Sequence, residues 1–232
     1  MVMPNFNYEN PRNAFGASPE TPEEQLARAV RGILTTKGPG GLTKEALLEQ
    51  KFPEEFLSKW PDADSLIALA VRDFKEKFIY TYDDITEDAR EYLSSGELTE
   101  DKSYEKLERL INRHIRVIFH PKNRGYVLMA TNEDLLPEEY RRVVIETISQ
   151  HFMDVLCRLV LAAGQVKNEG TAALLTTSII GSCNAFVLQP SLCKLLYQHG
   201  AGKDPNYSEI QDYLNSCMLR SIYMNLGINK MF

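Results

Sequence analysis

The stretch FLSKWPDADSL, residues 56–66, decides the fold, because it joins a group of short helical segments to a longer helix. The group begins at Thr21, a residue type that caps helices, followed by Pro22 and by acidic side chains in the first turn. Residues 38–41, with the sequence GPGG, stop this first helix. The sequence therefore predicts a compact helical head that starts near residue 21.

Two further short helices are expected before the tryptophan. Thr43 is placed to cap the second helix, residues 50–52 form a turn, and Pro53 opens a third helix that ends near Trp60. Two short helices joined by a tight turn form the geometry that places the second helix in a DNA major groove. The head is thus predicted to be a helix-turn-helix unit.

The remainder of the chain also has helical periodicity. Apolar residues recur at spacings of three and four, and no convincing alternation with a period of two is present, so we expect no sheet. The helices predicted for this larger part cover residues 63–82, 87–93, 104–119, 126–131, 137–165, 171–188, 191–198 and 207–226. The predicted fold class is all-α, with the three-helix head attached to a larger helical body.

Residues 22–73 resemble the N-terminal domain of TetR-family transcriptional regulators. The resemblance rests on the Leu-Thr pair at 42–43, where the second helix starts, and on the corner WPDADSL at 60–66. The glycine-bounded break at 164–170, GQVKNEG, is similar to one in the C-terminal domain of that family. The resemblance covers the order of helices along nearly the whole chain, but the sequence pattern only over residues 22–73.

This resemblance implies three parts. They are an extended or disordered arm over residues 1–20, a helix-turn-helix DNA-binding domain over 21–62, and a ligand-binding and dimerisation domain over 63–232. It also implies a cytoplasmic, homodimeric, DNA-binding transcriptional regulator, usually a repressor, without a cofactor. A hydrophobic or aromatic small molecule would release such a regulator from a palindromic operator on double-stranded DNA.

Eight head residues are the candidates for DNA contact. They are Lys37, Thr43, Lys44, Lys51, Glu54, Glu55, Ser58 and Lys59. The two glutamates stand where the family has a Gly-Thr pair, and carboxylates repel a phosphate backbone. Residues 1–62 hold seven Lys and Arg against nine Asp and Glu, whereas a DNA-binding face is usually basic. The alternative is a protein of this fold that has lost DNA binding and acts as a ligand-binding or protein-interaction dimer.

The resemblance also implies a ligand pocket inside the body. The candidate lining residues are Phe74, Phe78, His114, Ile115, Phe119, Tyr126, Met129, Phe152, Leu156, Cys157, Asn184 and Phe186. Pockets for small molecules are mostly apolar with a few placed polar groups, and this set has that composition. The alternative for each of these residues is that it simply fills the core.

The expected dimer rests on residues 171–188, which are apolar on most sides of a helix. Such a helix must be buried on most sides, so we expect it to pack beside 208–226 and against the same pair in a second copy.

The four cysteines lie in apolar helical stretches and form no CxxC pair, so we predict that they are reduced core residues. The alternative, which is less favoured, is a redox role for Cys183 and Cys193.

Other functions find little support in the sequence. A net charge of −6 argues against an anionic membrane partner, and no run of eighteen apolar residues is present to span a membrane. The four histidines are scattered, and HExxH, GxSxG and Gly-rich phosphate loops are absent, so no enzyme is predicted. His151, Asp154 and Cys157 have a spacing that allows metal ligation, but a structural role is favoured. Arg109, Arg113 and Arg116 form either a solvated helix face or, less favoured, an anion site.

Overall fold

The structure is a computed structural model that describes residues 20–203 except 165 and 167, and the single positions 209, 212, 213, 216, 217, 220 and 224. The side chains of residues 121, 133, 186, 190, 193 and 196 are outside the description. Every regular element in the described part is helical and none is a strand, which confirms the all-α prediction. The predicted arm, apart from Glu20, lies outside the described residues, as does most of the predicted helix 207–226.

The first helices begin and end where their capping residues predict. They are α1 (Pro22–Lys37), a 3-10 turn (Pro39–Gly41), α2 (Lys44–Glu49), α3 (Glu54–Leu57) and α4 (Ala63–Asp73). Thr21 and Glu24 form a capping box at the start of α1, and the Thr43 side chain accepts from the Ala46 amide at the start of α2. Asp62 caps α4 in the same way. Helix α3 is a single turn, shorter than the predicted helix.

The connecting helix predicted over 63–82 is helical throughout but not regular. Helix α4 continues as a π-helical turn (Phe74–Phe78) and a 3-10 turn (Ile79–Tyr82) before α5 (Asp83–Ser94). Helix α5 is longer than the predicted 87–93, because it begins directly at the end of the 3-10 turn. π-helical turns inside helices are frequent at functional sites.

The remaining elements form a helical bundle around α6 and α9. They are α6 (Glu100–Phe119), α7 (Arg124–Thr131), α8 (Glu138–Ile148), a second π-helical turn (Ser149–Met153), α9 (Asp154–Ala163), α10 (Glu169–Leu188) and α11 (Pro190–Ala201), with short 3-10 turns before α7 and α8. The single helix predicted over 137–165 is therefore divided by a π-helical turn. The side chains of Thr99 and Asn168 cap α6 and α10.

One apolar core extends through the described chain. It includes Leu26 and Leu34 of α1, Phe74 after α4, Ile115 of α6 and Leu156 of α9, each fully buried. Helix α1 packs against both α4 and α7, while α9 packs against α6 and α10. Helix α1 therefore contacts the body directly. No helix in the described part has both the length and the apolar composition needed to cross a membrane.

Candidate functional site

The eight candidate DNA-contacting residues all lie on the surface. Lys37, Thr43, Lys44, Lys51, Glu54, Glu55, Ser58 and Lys59 are exposed. Helices α2 and α3 pack against the core through Leu47 and Leu57, whose side chains are buried. Lys51 has a positive φ of 69°, which ends α2 and turns the chain toward α3. All eight residues are thus exposed, and among them the structure brings Lys44 and Glu54 into contact.

The charges of this segment partly cancel. Lys44 Nζ lies 2.7 Å from Glu54 Oε1, and this hydrogen bond lowers the pKa of the Glu54 carboxyl. Lys59 Nζ lies 5.6 Å from the centre of the Phe56 ring. Within the described residues, Lys37, Lys51 and Lys59 form no ion pair. Three lysines therefore remain available to an anionic partner, and a fourth is held by a glutamate.

The body contains a cluster of rings that we call the interior cluster. Its members are Phe74, Phe78, Tyr82, His114, Tyr126 and Phe152. The centres of the Phe78 and Tyr126 rings are 5.5 Å apart, and those of Phe78 and Tyr82 are 5.9 Å apart. Phe152 packs on Tyr82 at 4.7 Å and on His114 at 5.1 Å. These distances are within the range of favourable aromatic pairs.

His114 is the polar centre of the interior cluster. Its Nδ1 atom lies 3.0 Å from the Tyr82 hydroxyl, and both side chains are buried. Burial lowers the pKa of His114 to about 4, and a hydrogen bond with the Asn184 side chain opposes this shift only partly. Burial also raises the pKa of Tyr82 far above its usual value. Both groups are therefore uncharged at neutral pH.

The other predicted lining residues lie around this cluster. Ile115, Phe119, Met129 and Leu156 are buried, and Cys157 is half-buried. The predicted Phe186 side chain lies outside the described residues. Sequence reasoning missed Tyr82, although it lies four residues after Phe78, which itself follows Phe74 by four. That spacing places all three on one helical face and was the available signal.

Tyr126 has a role that the sequence prediction did not include. Its hydroxyl donates to Asp73 Oδ2 at 2.6 Å, and the Arg31 guanidinium lies over its ring, 3.8 Å from the centre. Arg31 Nη1 also donates to Asp73 Oδ2. We call Arg31, Asp73 and Tyr126 the joint, because they connect α1, α4 and α7 at one buried point.

Two of the three arginines of α6, Arg109 and Arg113, pair with acids of α5. Arg113 Nη2 lies 2.6 Å from Asp84 Oδ2, and Arg109 Nη1 lies 3.3 Å from Asp88 Oδ2. Lys106 also pairs with Asp88, at 2.6 Å. These pairs favour the structural role of the arginine face over an anion site.

The second π-helical turn is held by a side chain from α5. The Arg90 guanidinium donates to the carbonyl oxygens of Gln150 and His151 at 3.0 and 3.1 Å. His151 Nδ1 lies 3.7 Å from Asp83 Oδ1. Among the described residues, no three His, Cys, Asp or Glu side chains are grouped so as to hold a metal ion.

Helix α10 has one buried and one exposed face. Ala172, Thr176, Ile179, Cys183 and Val187 are buried against the body. The exposed face consists mainly of small residues, Ala173, Thr177, Ser178, Gly181, Ser182 and Ala185, together with Leu174, which is 73% exposed. Leu192 and Leu195 of α11 are 48% and 61% exposed. Exposed leucines therefore occur on both α10 and α11, while Leu48, Tyr80, Leu98, Val143 and Ile145 are exposed on other parts of the described chain.

Comparison with known proteins adds no assignment, because no protein-family model and no curated protein matches this chain.

Proposed function

We propose that this protein is a homodimeric, ligand-responsive DNA-binding regulator of the TetR type. Residues 21–62 are its helix-turn-helix head, and residues 63–232 form its ligand-binding and dimerisation body. An uncharged, mainly apolar small molecule binds in the body and weakens binding of the heads to a palindromic operator.

The observation that carries this proposal is the position of α2 and α3. Their apolar residues, Leu47 and Leu57, are buried, while all eight candidate contact residues on and beside them are exposed. Thr43 caps the N-terminus of α2, where free backbone amides favour a phosphate. A pair of short helices held in this way presents one surface to a duplex.

The joint supports communication between the ligand and the head. Helix α1 belongs to the head, yet Arg31 on α1 is bonded to Asp73, next to the interior cluster, and covers the Tyr126 ring. A ligand that changes the packing of Phe74, Phe78 or Tyr126 therefore also changes the contacts that hold α1 against the body. The ligand can shift the equilibrium between two head positions by no more than the difference between its binding free energies for the two corresponding states of the protein.

The exposed face of α10 supports the dimer. Small residues on this face allow two helices to approach closely, and burial of Leu174 removes the most exposed apolar side chain of α10 from water. A twofold dimer formed there presents two heads, so its operator is palindromic, with half-sites about 34 Å apart or somewhat more.

Selection of duplexes from a random DNA library by the full-length protein tests the proposal. We expect an enriched palindrome and an affinity that falls steeply as salt rises, because each neutralised phosphate releases counterions. A variant with Lys37, Lys51 and Lys59 replaced by Gln is expected to lose binding, while replacement of Lys75, Lys102 and Lys122 is the charge-matched control. Failure to retain any duplex at low salt contradicts the DNA-binding part of the proposal.

A second candidate function follows from the Lys44–Glu54 pair. This pair, 2.7 Å long, neutralises a lysine in the segment that would face phosphate. It favours a dimer of the same fold whose head no longer binds DNA and instead contacts a protein. In that case the selection yields no palindrome, while dimerisation and ligand binding remain.

A further inference from the structure

Helices α2 and α3 begin with side chains of opposite charge that meet on the surface of the head. Lys44 is the first residue of α2, and Glu54, ten residues later, is the first residue of α3. Lys44 Nζ lies 2.7 Å from Glu54 Oε1, and the two side chains are 53% and 72% exposed. An ion pair as exposed as this adds little to the stability of a fold. Its main consequence is therefore the set of polar groups that it presents to a partner.

The pair presents hydrogen-bond donors directly beside an acceptor. An ammonium group has three N–H donors, and among the described residues Lys44 uses one of them, to Glu54. Glu54 Oε2 accepts no hydrogen bond in the same part of the chain. The bond from Lys44 lowers the pKa of the Glu54 carboxyl, so this group stays ionised at neutral pH and only accepts. Donors of Lys44 and the Oε2 acceptor of Glu54 thus remain for a partner.

The major-groove edge of a G·C base pair has the complementary arrangement. Guanine presents the acceptors N7 and O6, and cytosine presents the N4 amino donor. O6 and N4 are hydrogen-bonded to each other within the base pair, so they lie about 2.9 Å apart. This separation is close to the 2.7 Å between Lys44 Nζ and Glu54 Oε1. A lysine that donates to guanine therefore places the adjoining carboxylate opposite the cytosine amino group.

An A·T base pair is a poorer match for the two side chains. Its amino donor, N6, lies between two acceptors, adenine N7 and thymine O4, and the thymine methyl group follows them along the edge. A carboxylate that accepts from N6 therefore also faces the lone pair of N7, which repels it. Phosphate is a poor match as well, because the net charge of the ion pair is zero.

The position of Glu54 along α3 agrees with contact to bases. In helix-turn-helix proteins, the N-terminal residues of the second helix contact the base edges. Lys37, Lys51 and Lys59, which form no ion pair within the described residues, are exposed and remain for the phosphates.

We propose that Lys44 and Glu54 together read one G·C base pair in each half of the operator. Lys44 donates to guanine O6 and N7, Glu54 accepts from cytosine N4, and the two side chains stay bonded to each other. This inference rests on the DNA-binding head of the proposed function and names the base pair that the head selects. It differs from the second candidate function, in which the same ion pair opposes DNA binding.

Parallel selections from a random duplex library test the inference with the full-length protein and its Glu54→Gln variant. We expect the palindrome selected by the unmodified protein to hold a G·C position in each half-site that becomes variable with Glu54→Gln, while the other positions are retained. In fluorescence anisotropy, exchange of this base pair for A·T is expected to weaken binding of the unmodified protein roughly fivefold to hundredfold. For Glu54→Gln the same exchange is expected to weaken binding less than about threefold.

Glu55→Gln is the matched control, because it removes the same charge from the neighbouring residue, which is exposed and forms no ion pair within the described chain. This control is expected to keep the preference for G·C. The double variant Lys44→Glu, Glu54→Lys retains an ion pair and the net charge but exchanges donor and acceptor, so it is expected to lose the preference. A pair that only joined α2 to α3 would leave the preference unchanged in the double variant.

A modified duplex tests the same contact without any variant, should one fail to fold. 7-Deazaguanine lacks N7 but retains O6 and its base pairing. At the assigned position it is expected to weaken binding of the unmodified protein roughly threefold to tenfold, because one acceptor of the Lys44 ammonium is lost.

The inference is overturned if Glu54→Gln still selects the G·C position, or if Glu55→Gln loses it equally. It is also overturned if the exchanged pair keeps the preference or if 7-deazaguanine has no effect. In each of these cases a palindrome is still selected, so the proposed DNA binding stands. If no duplex is retained at low salt, the proposed DNA binding fails and this inference fails with it.

Discussion

Arg31 and Asp73 form an ion pair whose side chains are only 7% and 8% exposed, although they lie 42 residues apart in the chain. The same carboxylate oxygen accepts from Tyr126, so one atom of α4 is bonded to both α1 and α7. Two further ion pairs, Glu23–Arg72 and Glu24–Lys77, lie on the surface. They join the start of α1 to the end of α4 and the π-helical turn that follows it. The head is therefore attached to the body through one buried and two surface pairs.

Replacement of Asp73 by Asn is expected to destabilise the fold by about 3–5 kcal/mol, because the Arg31 guanidinium stays buried without its counter-ion. The free energy of unfolding is measured by urea denaturation. The matched control is Arg72→Met, which breaks an exposed pair and is expected to cost about 0–1 kcal/mol. Equal effects of the two variants would contradict the assignment of the joint.

The stability of the protein is expected to fall as the pH is lowered from about 6.5 toward 4, and part of this loss belongs to His114. The pKa of His114 is about 4 in the fold and 6.5 when unperturbed, so between these values only the unfolded chain takes up the proton. The contribution reaches at most about 3 kcal/mol near pH 4 and is absent above pH 6.5.

The His114→Gln variant isolates this contribution, because Gln keeps an acceptor for the Tyr82 hydroxyl. Its free energy of unfolding is expected to depend less on pH between about 4.5 and 6.5 than that of the unmodified protein. His199→Gln, at an exposed position, is the control and is expected to retain the full dependence. Parallel pH profiles for all three proteins would show that His114 is not the buried neutral base described above.

Replacement of Glu54 by Gln is expected to strengthen non-specific DNA binding roughly threefold to tenfold, because Lys44 is freed and a repelling carboxylate is removed. The slope of log affinity against log salt is expected to become steeper by about one. Fluorescence anisotropy with a labelled duplex measures both quantities. Glu97→Gln, at an exposed position beyond α5, is the control for net charge, and an equal gain in that variant would refute a local effect.

Replacement of Leu174 by Glu is expected to convert the proposed dimer to a monomer. Leu174 is 73% exposed on α10, so the change costs the protomer little but places a charge in the proposed interface. Sedimentation velocity at micromolar protein measures the state. Leu98→Glu, at a residue 47% exposed outside α10 and α11, is the control and is expected to stay dimeric. A monomeric unmodified protein would rule the dimer out.

Cys183 is expected to resist alkylation in the folded protein at pH 8. Its side chain is fully buried, and burial raises the pKa of its thiol to about 12, so almost no thiolate is present. Mass spectrometry after treatment with iodoacetamide measures the modification, and protein unfolded in urea is the control. Rapid modification of Cys183 in the native protein would instead support the redox role that the sequence left open.

The helical class and most helix starts were predictable, because they depend on neighbouring residues. Thr21, Thr43 and the glycines at 38–41 act within one turn, and the stripe from Leu66 to Phe78 depends only on spacing. The two π-helical turns were not predictable from spacing. They depend on long-range partners such as Arg90, which lies 60 residues from the carbonyl of Gln150.

The sequence predicted which residues lie in the interior of the body, but it did not predict which of them bond to each other. The sequence indicated that His114, Phe152 and Asn184 share the interior, yet it did not indicate Tyr82 as the partner of the imidazole. It named Tyr126 as a candidate lining residue, but it did not indicate that the Tyr126 hydroxyl bonds to Asp73 beneath Arg31. Arg31 had no local signal, because a buried and an exposed arginine look the same in a helical pattern.

The sequence by itself determined the all-α class, the capped starts of the first helices and the apolar character of the body, because caps and periodicity act over a few residues. Only the tertiary structure decided which charges are paired, which polar side chains bond to each other in the interior, and how α1 is fixed to the body. Those properties arise where helices distant in the chain pack together, and burial there converts ordinary side chains into a buried ion pair and a neutral histidine.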